Sequence, residues 1–151
     1  MIVTTNGLAS PTFGHQSELL LRLAASPGVV PDEAVMEWFW PDGNPTDARR
    51  RLRNLLNRLS SQCGGVVIRR GRSIGLHPSI RVDFRVFHQL AGAAFTPGTQ
   101  DHLRTLAART ALELSANNFA ELHAYDDWAL EIRSEIELAR ADLQELADRK
   151  W

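Results

Sequence analysis

The sequence predicts a mainly helical protein with one small β-hairpin, divided into residues 1–80 and residues 81–151. Three observations predict it. Leucine and alanine recur at helical spacing over several long stretches. Pro, Gly, Asn or Asp punctuates the chain between those stretches. Only "VVIRRGRSIGL", at 66–76, reads as two short β-favouring runs around a tight turn carrying Arg69, Arg70 and Arg72.

The elements follow in order. Residues 1–13 hold one short strand, broken by Gly7 and Pro11. "HQSELLLRLAAS" forms a first helix with Leu19, Leu20, Leu23 and Ala24 on one side, stopped at Pro27-Gly28. "PDEAVMEWFW" forms a second. Pro31 suits its first turn, Asp32 and Glu33 favour the positive end of its dipole, and Val35, Met36, Phe39 and Trp40 are its buried side. After the turn "PDGN", Asn44 is an N-cap, Pro45 fits the first helical position and Asp47 falls in the first turn. Ala48, Leu52, Leu55, Leu56 and Leu59 then make one apolar stripe down a third helix, which Gly64-Gly65 ends. Asp47, Arg50, Asn54, Asn57 and Ser61 lie opposite the stripe, with Arg53 and Arg58 beside them. Beyond Ile80 three more helices are expected. Phe84, Phe87, Leu90 and Ala91 face inward from the first. Leu103, Leu106, Ala107 and Leu114 do so from the second. The last carries Trp128, Ile132, Ile136, Ala139, Leu143, Leu146 and Ala147 at helical spacing.

The charge is distributed unevenly. The chain carries 17 basic and 18 acidic residues, a formal charge of −1. Residues 45–72 contain eight arginines (Arg49, Arg50, Arg51, Arg53, Arg58, Arg69, Arg70 and Arg72) against the single acid Asp47. A basic segment in a near-neutral chain points to one polyanion-binding surface. Three helices followed by a basic hairpin is the order of a winged helix–turn–helix, in which the third helix enters the major groove of double-stranded DNA. Arginine reads guanine and asparagine reads adenine through paired hydrogen bonds, so Arg50, Arg53 and Asn54 are candidates for base readout. Thr46 stands near the helix start, where base contacts concentrate, and Asn57 shares the outward side. Arg49 and Arg58, with Arg69, Arg70 and Arg72 of the hairpin, suit phosphate.

Other function classes find less in the sequence. His15, His77, His88, His102 and His123 lack ligand spacing, and a lone cysteine, Cys63, allows no internal disulfide or cysteine-based zinc site. Cys63 reads as a packing residue, and Asp126 and Asp127 as the cap of a helix start rather than an acid–base pair. Neither an enzyme nor a cofactor is expected. No apolar run approaches the roughly eighteen residues of a membrane span. The N-terminus lacks the pattern of a signal peptide, so a cytoplasmic location is expected. The alternative is a helical adaptor whose arginine face meets an acidic protein.

The segment W-P-D-x-x-P-x-x-A-R-R-x-L-R-N-x-L-x-R-L matches at Trp40, Pro41, Asp42, Pro45, Ala48, Arg49, Arg50, Leu52, Arg53, Asn54, Leu56, Arg58 and Leu59. With "VVIRRGRSIGL" and "VDFRVF", it resembles the DNA-binding part of bacterial regulators of the Streptomyces antibiotic regulatory protein type, which carry an OmpR-like winged helix. "YDDWALEIRSEIELARADLQELA" is similar to the W-x-x-x-x-R helix of their tetratricopeptide-like bacterial transcriptional activation domain, carried here by Trp128 and Arg133. The resemblance implies a transcriptional regulator, with RNA polymerase and a second copy of the chain as partners. It covers the activation domain only in part.

Overall fold

The structure is a computed structural model that describes residues 3–4, 14–116, 119–120 and 123–149. It is mainly helical, with a small three-stranded antiparallel sheet. The chain divides into two compact units, one over Val3–Val82 and one beginning at Asp83. Apart from β1 (Val3–Thr4), which pairs antiparallel with β5 (Arg81–Val82), the expected strand region 1–13 lies outside the described residues.

In the first unit, α1 (Gly14–Ala25), α2 (Asp32–Phe39) and α3 (Pro45–Cys63) precede the hairpin β3 (Val67–Arg70) and β4 (Ser73–Leu76). The local chemistry of α3 follows its sequence. The Asn44 side chain accepts a hydrogen bond from the Thr46 backbone N–H at 2.9 Å, Pro45 opens the helix, and Gly64 (φ 65°) closes it. Gly71 sits at φ 62° in the two-residue turn between Arg70 and Ser73, a conformation that favours glycine. Leu19, Leu23, Val35, Leu52, Leu59, Cys63, Val66 and Ile74 are fully buried. α1 packs on α3 and β4, and α2 packs on α3.

Two expectations are corrected here. Pro31 does not lie in the first turn of α2. It is the N-cap residue and the end of β2 (Val30–Pro31), a strand the sequence did not suggest, which pairs with β4 through Val30↔Ile74 and Pro31↔Ser73. Proline is tolerated because β2 is an edge strand, in the order β2-β4-β3. Within the α3 stripe Leu56 is half-buried, as are Phe39 and Trp40 at the end of α2. The inward side of α3 is centred on Leu52 and Leu59, and Leu56 lies at its margin.

The second unit contains α4 (Asp83–Phe95), α5 (Asp101–Leu114) and α6 (Asp127–Asp148). α5 packs on both α4 and α6. Leu103 and Leu106, expected inward, are 46% and 61% exposed, and the buried positions of α5 are Ala108 and Ala111, followed by Ser115. Small residues at helical spacing let neighbouring helices approach closely, and this face wins over the leucines. On α4 the buried residues are Phe84, Phe87 and Ala94, with Leu90 and Ala91 half-buried. On α6 they are Ala129, Ile136, Leu143, Leu146 and Ala147, whereas Trp128, Ile132 and Ala139 are half-buried.

Three arginines of this unit bind backbone carbonyls at the ends of α4 and α5 and in the connection before α6. Arg104 Nε donates to the Ala94 carbonyl at 2.9 Å, and Arg140 donates to the Ser115 carbonyl. Arg133 donates to Phe119 (2.7 Å), Ala120 (2.5 Å) and Ala124 (2.9 Å), and so holds Ala120 in the left-handed region at φ 50°. Hydrogen bonds from a charged donor to a carbonyl are stronger than neutral ones. Arg133→Lys keeps the charge but replaces three separately placed nitrogens, Nε, Nη1 and Nη2, by a single ammonium nitrogen that cannot take up all three positions. It is expected to lower unfolding free energy by about 1–2 kcal/mol in a denaturant titration. A loss within error would show that other donors, such as the His123 backbone N–H already on the Ala120 carbonyl, suffice for these carbonyls.

Candidate nucleic-acid interface

The amphipathic pattern of α3 decides which side chains reach solvent. With Leu52 and Leu59 buried, Thr46, Arg49, Arg50, Arg51, Arg53, Asn54, Asn57 and Arg58 are all exposed. Of the five arginines, only Arg50 has an ion pair among the described residues, to Asp47 at 3.0 Å, with both side chains more than half exposed. Such a pair is worth little in water, so Arg50 remains available to another partner.

The outward ridge Thr46–Arg50–Asn54–Asn57 runs between two clefts. One, of about 500 Å³, is lined by Arg51, Asn54, Leu55 and Arg58 of α3, by Trp40, and by the start of α1 at Gly14, His15 and Gln16. His15 and Trp40 in its wall stand 6.0 Å apart, ring centre to ring centre, and Phe39 lies 4.9 Å from His15. The other, of about 300 Å³, lies between α3 and the hairpin and is lined by Arg53, Leu56, Asn57, Ser60, Gly64, Val67 and Arg69. Among the described residues no acidic side chain lines either cleft. The arrangement therefore presents arginine side chains on either side of a polar ridge.

The hairpin arginines divide into two kinds. Arg70 and Arg72 stand exposed around the turn, and neither has an acidic partner among the described residues. Arg69 instead points back to α2. One guanidinium nitrogen, Nη1, lies 2.9 Å from Asp32 Oδ2 and 3.2 Å from Oδ1. The phosphate role expected of Arg69 thus competes with an ion pair whose acid is only 17% exposed. The sequence reading missed this pair because its members are far apart in the chain. It also left Arg51 out of the candidate set, although the spacing that places Arg58 beside the ridge places Arg51 there too.

Residues considered for other chemistry are occupied structurally. Cys63 is buried at the end of α3, and burial pushes its thiol up, away from a reactive thiolate. Asp126 is the N-cap residue of α6, yet its carboxylate meets His123 Nδ1 at 2.6 Å instead of bonding a helix N–H. Among the described residues no group of three or more His, Cys, Asp or Glu side chains is placed to hold a metal ion. No helix among them is long and apolar enough to cross a membrane. Comparison with known proteins matches no family model, and no characterised protein or solved structure is significantly similar to the chain.

Proposed function

We propose that the chain is a sequence-specific, double-stranded DNA-binding transcriptional regulator and not an enzyme. In this reading residues 3–82 form a winged helix–turn–helix. α3 enters the major groove, and the β3–β4 tip rests on phosphate or in the minor groove. The observation that carries it is the solvent side of α3. Arginine and asparagine, the side chains that pair with guanine and adenine, occupy one exposed ridge, and an exposed arginine hairpin adjoins the same helix. Two basic clefts beside the ridge give the phosphate strands somewhere to run.

The unit beginning at Asp83 is proposed to be a tetratricopeptide-like segment corresponding to the first part of a bacterial transcriptional activation domain. Residues 81–151 carry eight basic and twelve acidic residues, so phosphate repels this segment on balance and a protein partner suits it better. RNA polymerase and a second copy of the chain are the partners proposed, in the cytoplasm of a bacterium.

Selection of bound duplexes from a random library tests the reading. One enriched motif is expected, and binding to it should weaken steeply with added salt. A direct repeat in the motif would indicate two copies side by side. If no sequence is enriched and an acidic polypeptide retains the chain as well as duplex does, the arginine face serves an acidic protein partner instead.

A further inference from the structure

Resting on the DNA-binding reading, we infer that Arg69 is a positioning residue, and that Asp32 and Arg69 together form a strut that sets the hairpin tip against α2. Three contacts define the strut. Arg69 Nη1 reaches both carboxylate oxygens of Asp32, at 2.9 and 3.2 Å. The Asp32 backbone N–H donates to the Arg72 carbonyl at 2.8 Å, inside the turn itself. One residue earlier, Pro31 pairs with Ser73, the first residue of β4. The first residue of α2 therefore grips both sides of the turn, through its side chain on β3 and its backbone at Arg72.

The unequal exposure of the pair matters. Asp32 is 17% exposed and Arg69 48%. A carboxylate so far withdrawn from water depends on its partner more than an arginine at the surface does. Drawing Arg69 away to a phosphate would leave Asp32 without that partner. Arg70 and Arg72, which flank the turn and carry no such tie among the described residues, are the groups whose positions the strut determines.

Two roles for Arg69 predict opposite signs for one substitution. If Arg69 bound phosphate and Asp32 merely competed for it, Asp32→Ala would strengthen DNA binding, because it removes a negative charge and releases an arginine. If the pair is a strut, Asp32→Ala weakens binding although the protein becomes more positive. The backbone bond from residue 32 to Arg72 survives in that variant, and the carboxylate it loses at the start of α2 is kept in Arg69→Ala, so an effect shared by the two single variants belongs to the side-chain tie.

The experiment measures affinity of the full chain for its selected duplex across a range of salt concentrations. The variants are Asp32→Ala, Arg69→Ala, the double variant, and the exchange Asp32→Arg with Arg69→Asp. Each single variant is expected to bind about fivefold more weakly, the upper range for one ion pair outside a core. The double variant should be no worse than either single. The slope of log K against log salt should stay at the wild-type value, because no phosphate contact is lost. The exchange should recover part of the loss even if a single variant folds poorly. Tighter binding by Asp32→Ala, or a slope reduced by about one unit in Arg69→Ala, overturns the strut and leaves the DNA reading in place. A wild-type chain that selects no duplex overturns the DNA reading, and the strut's role in it.

Discussion

Leu52→Ala is expected to lower the unfolding free energy by about 2–5 kcal/mol, and Leu59→Ala by a similar amount. Both side chains are buried to 2% exposure or less, where α3 meets α1 and α2. Truncation leaves a cavity that the surrounding packing only partly closes. Leu56→Ala is the informative contrast. Leu56 belongs to the same leucine stripe but is half-buried, against the cleft on the hairpin side. Its truncation should cost about 1–2 kcal/mol, mainly for lost burial. Urea unfolding, with an unchanged m-value, measures all three. The order of the costs bears on function because it reports the rotation of α3 about its own axis. Neighbouring positions differ by about 100°, so Leu56 lies only about 40° from Leu52 around the helix. If Leu56→Ala were the most costly, the inward side would be centred on Leu56. Arg53 and Asn57 would then turn towards the hairpin, and Asn54 and Arg58 away from the core.

Local chemistry in the first unit was legible because each signal acts within a few residues. The Asn44-Pro45 start of α3, its end at Gly64 and the turn at Gly71 each depend on the preferred conformation of one residue. The exposed set on α3 was legible for a related reason: once the apolar stripe is buried, its opposite side has nowhere else to go. What the sequence hid depends on distant segments. β2 is two residues long, includes a proline and exists only because β4 lies beside it. Leu103 and Leu106 looked inward because leucine is the larger hydrophobe, yet the packed side of α5 is the one with Ala108 and Ala111. Periodicity identified a helix there but left two candidate faces. Arg133 matched a motif without revealing its role, which is to tie α6 to three carbonyls of the preceding connection. Asp32 looked like a residue for the helix dipole, and its carboxylate also holds Arg69.

On the proposed reading, Arg53→Ala and Arg70→Ala are expected to weaken DNA binding in different ways. Arg53 stands on the exposed flank of α3 beside Asn57, next to the ridge that would face the base edges. A paired contact from arginine to guanine contributes about 1–3 kcal/mol of discrimination, and its loss is confined to one base position. Arg53→Ala should therefore bind the selected duplex about 5- to 150-fold more weakly and bind scrambled duplex much as before. Arg50→Ala should follow the same pattern, since the exposed pair with Asp47 costs little to exchange for a base. Arg70 and Arg72 lie at the hairpin turn, where a side chain reaches phosphate or the minor groove more readily than a major-groove edge. Removing either should weaken binding to selected and scrambled duplexes by the same factor. It should also reduce the slope of log K against log salt by about one unit, for one fewer released counterion. The measurement is a titration of each variant against both duplexes at several salt concentrations. If Arg53→Ala and Arg70→Ala behaved alike, α3 and the hairpin would not divide the work in this way. If both bound duplex as the unaltered chain does, α3 would not be reading DNA at all, and the arginines of residues 45–72 other than Arg69 would belong to an acidic protein partner.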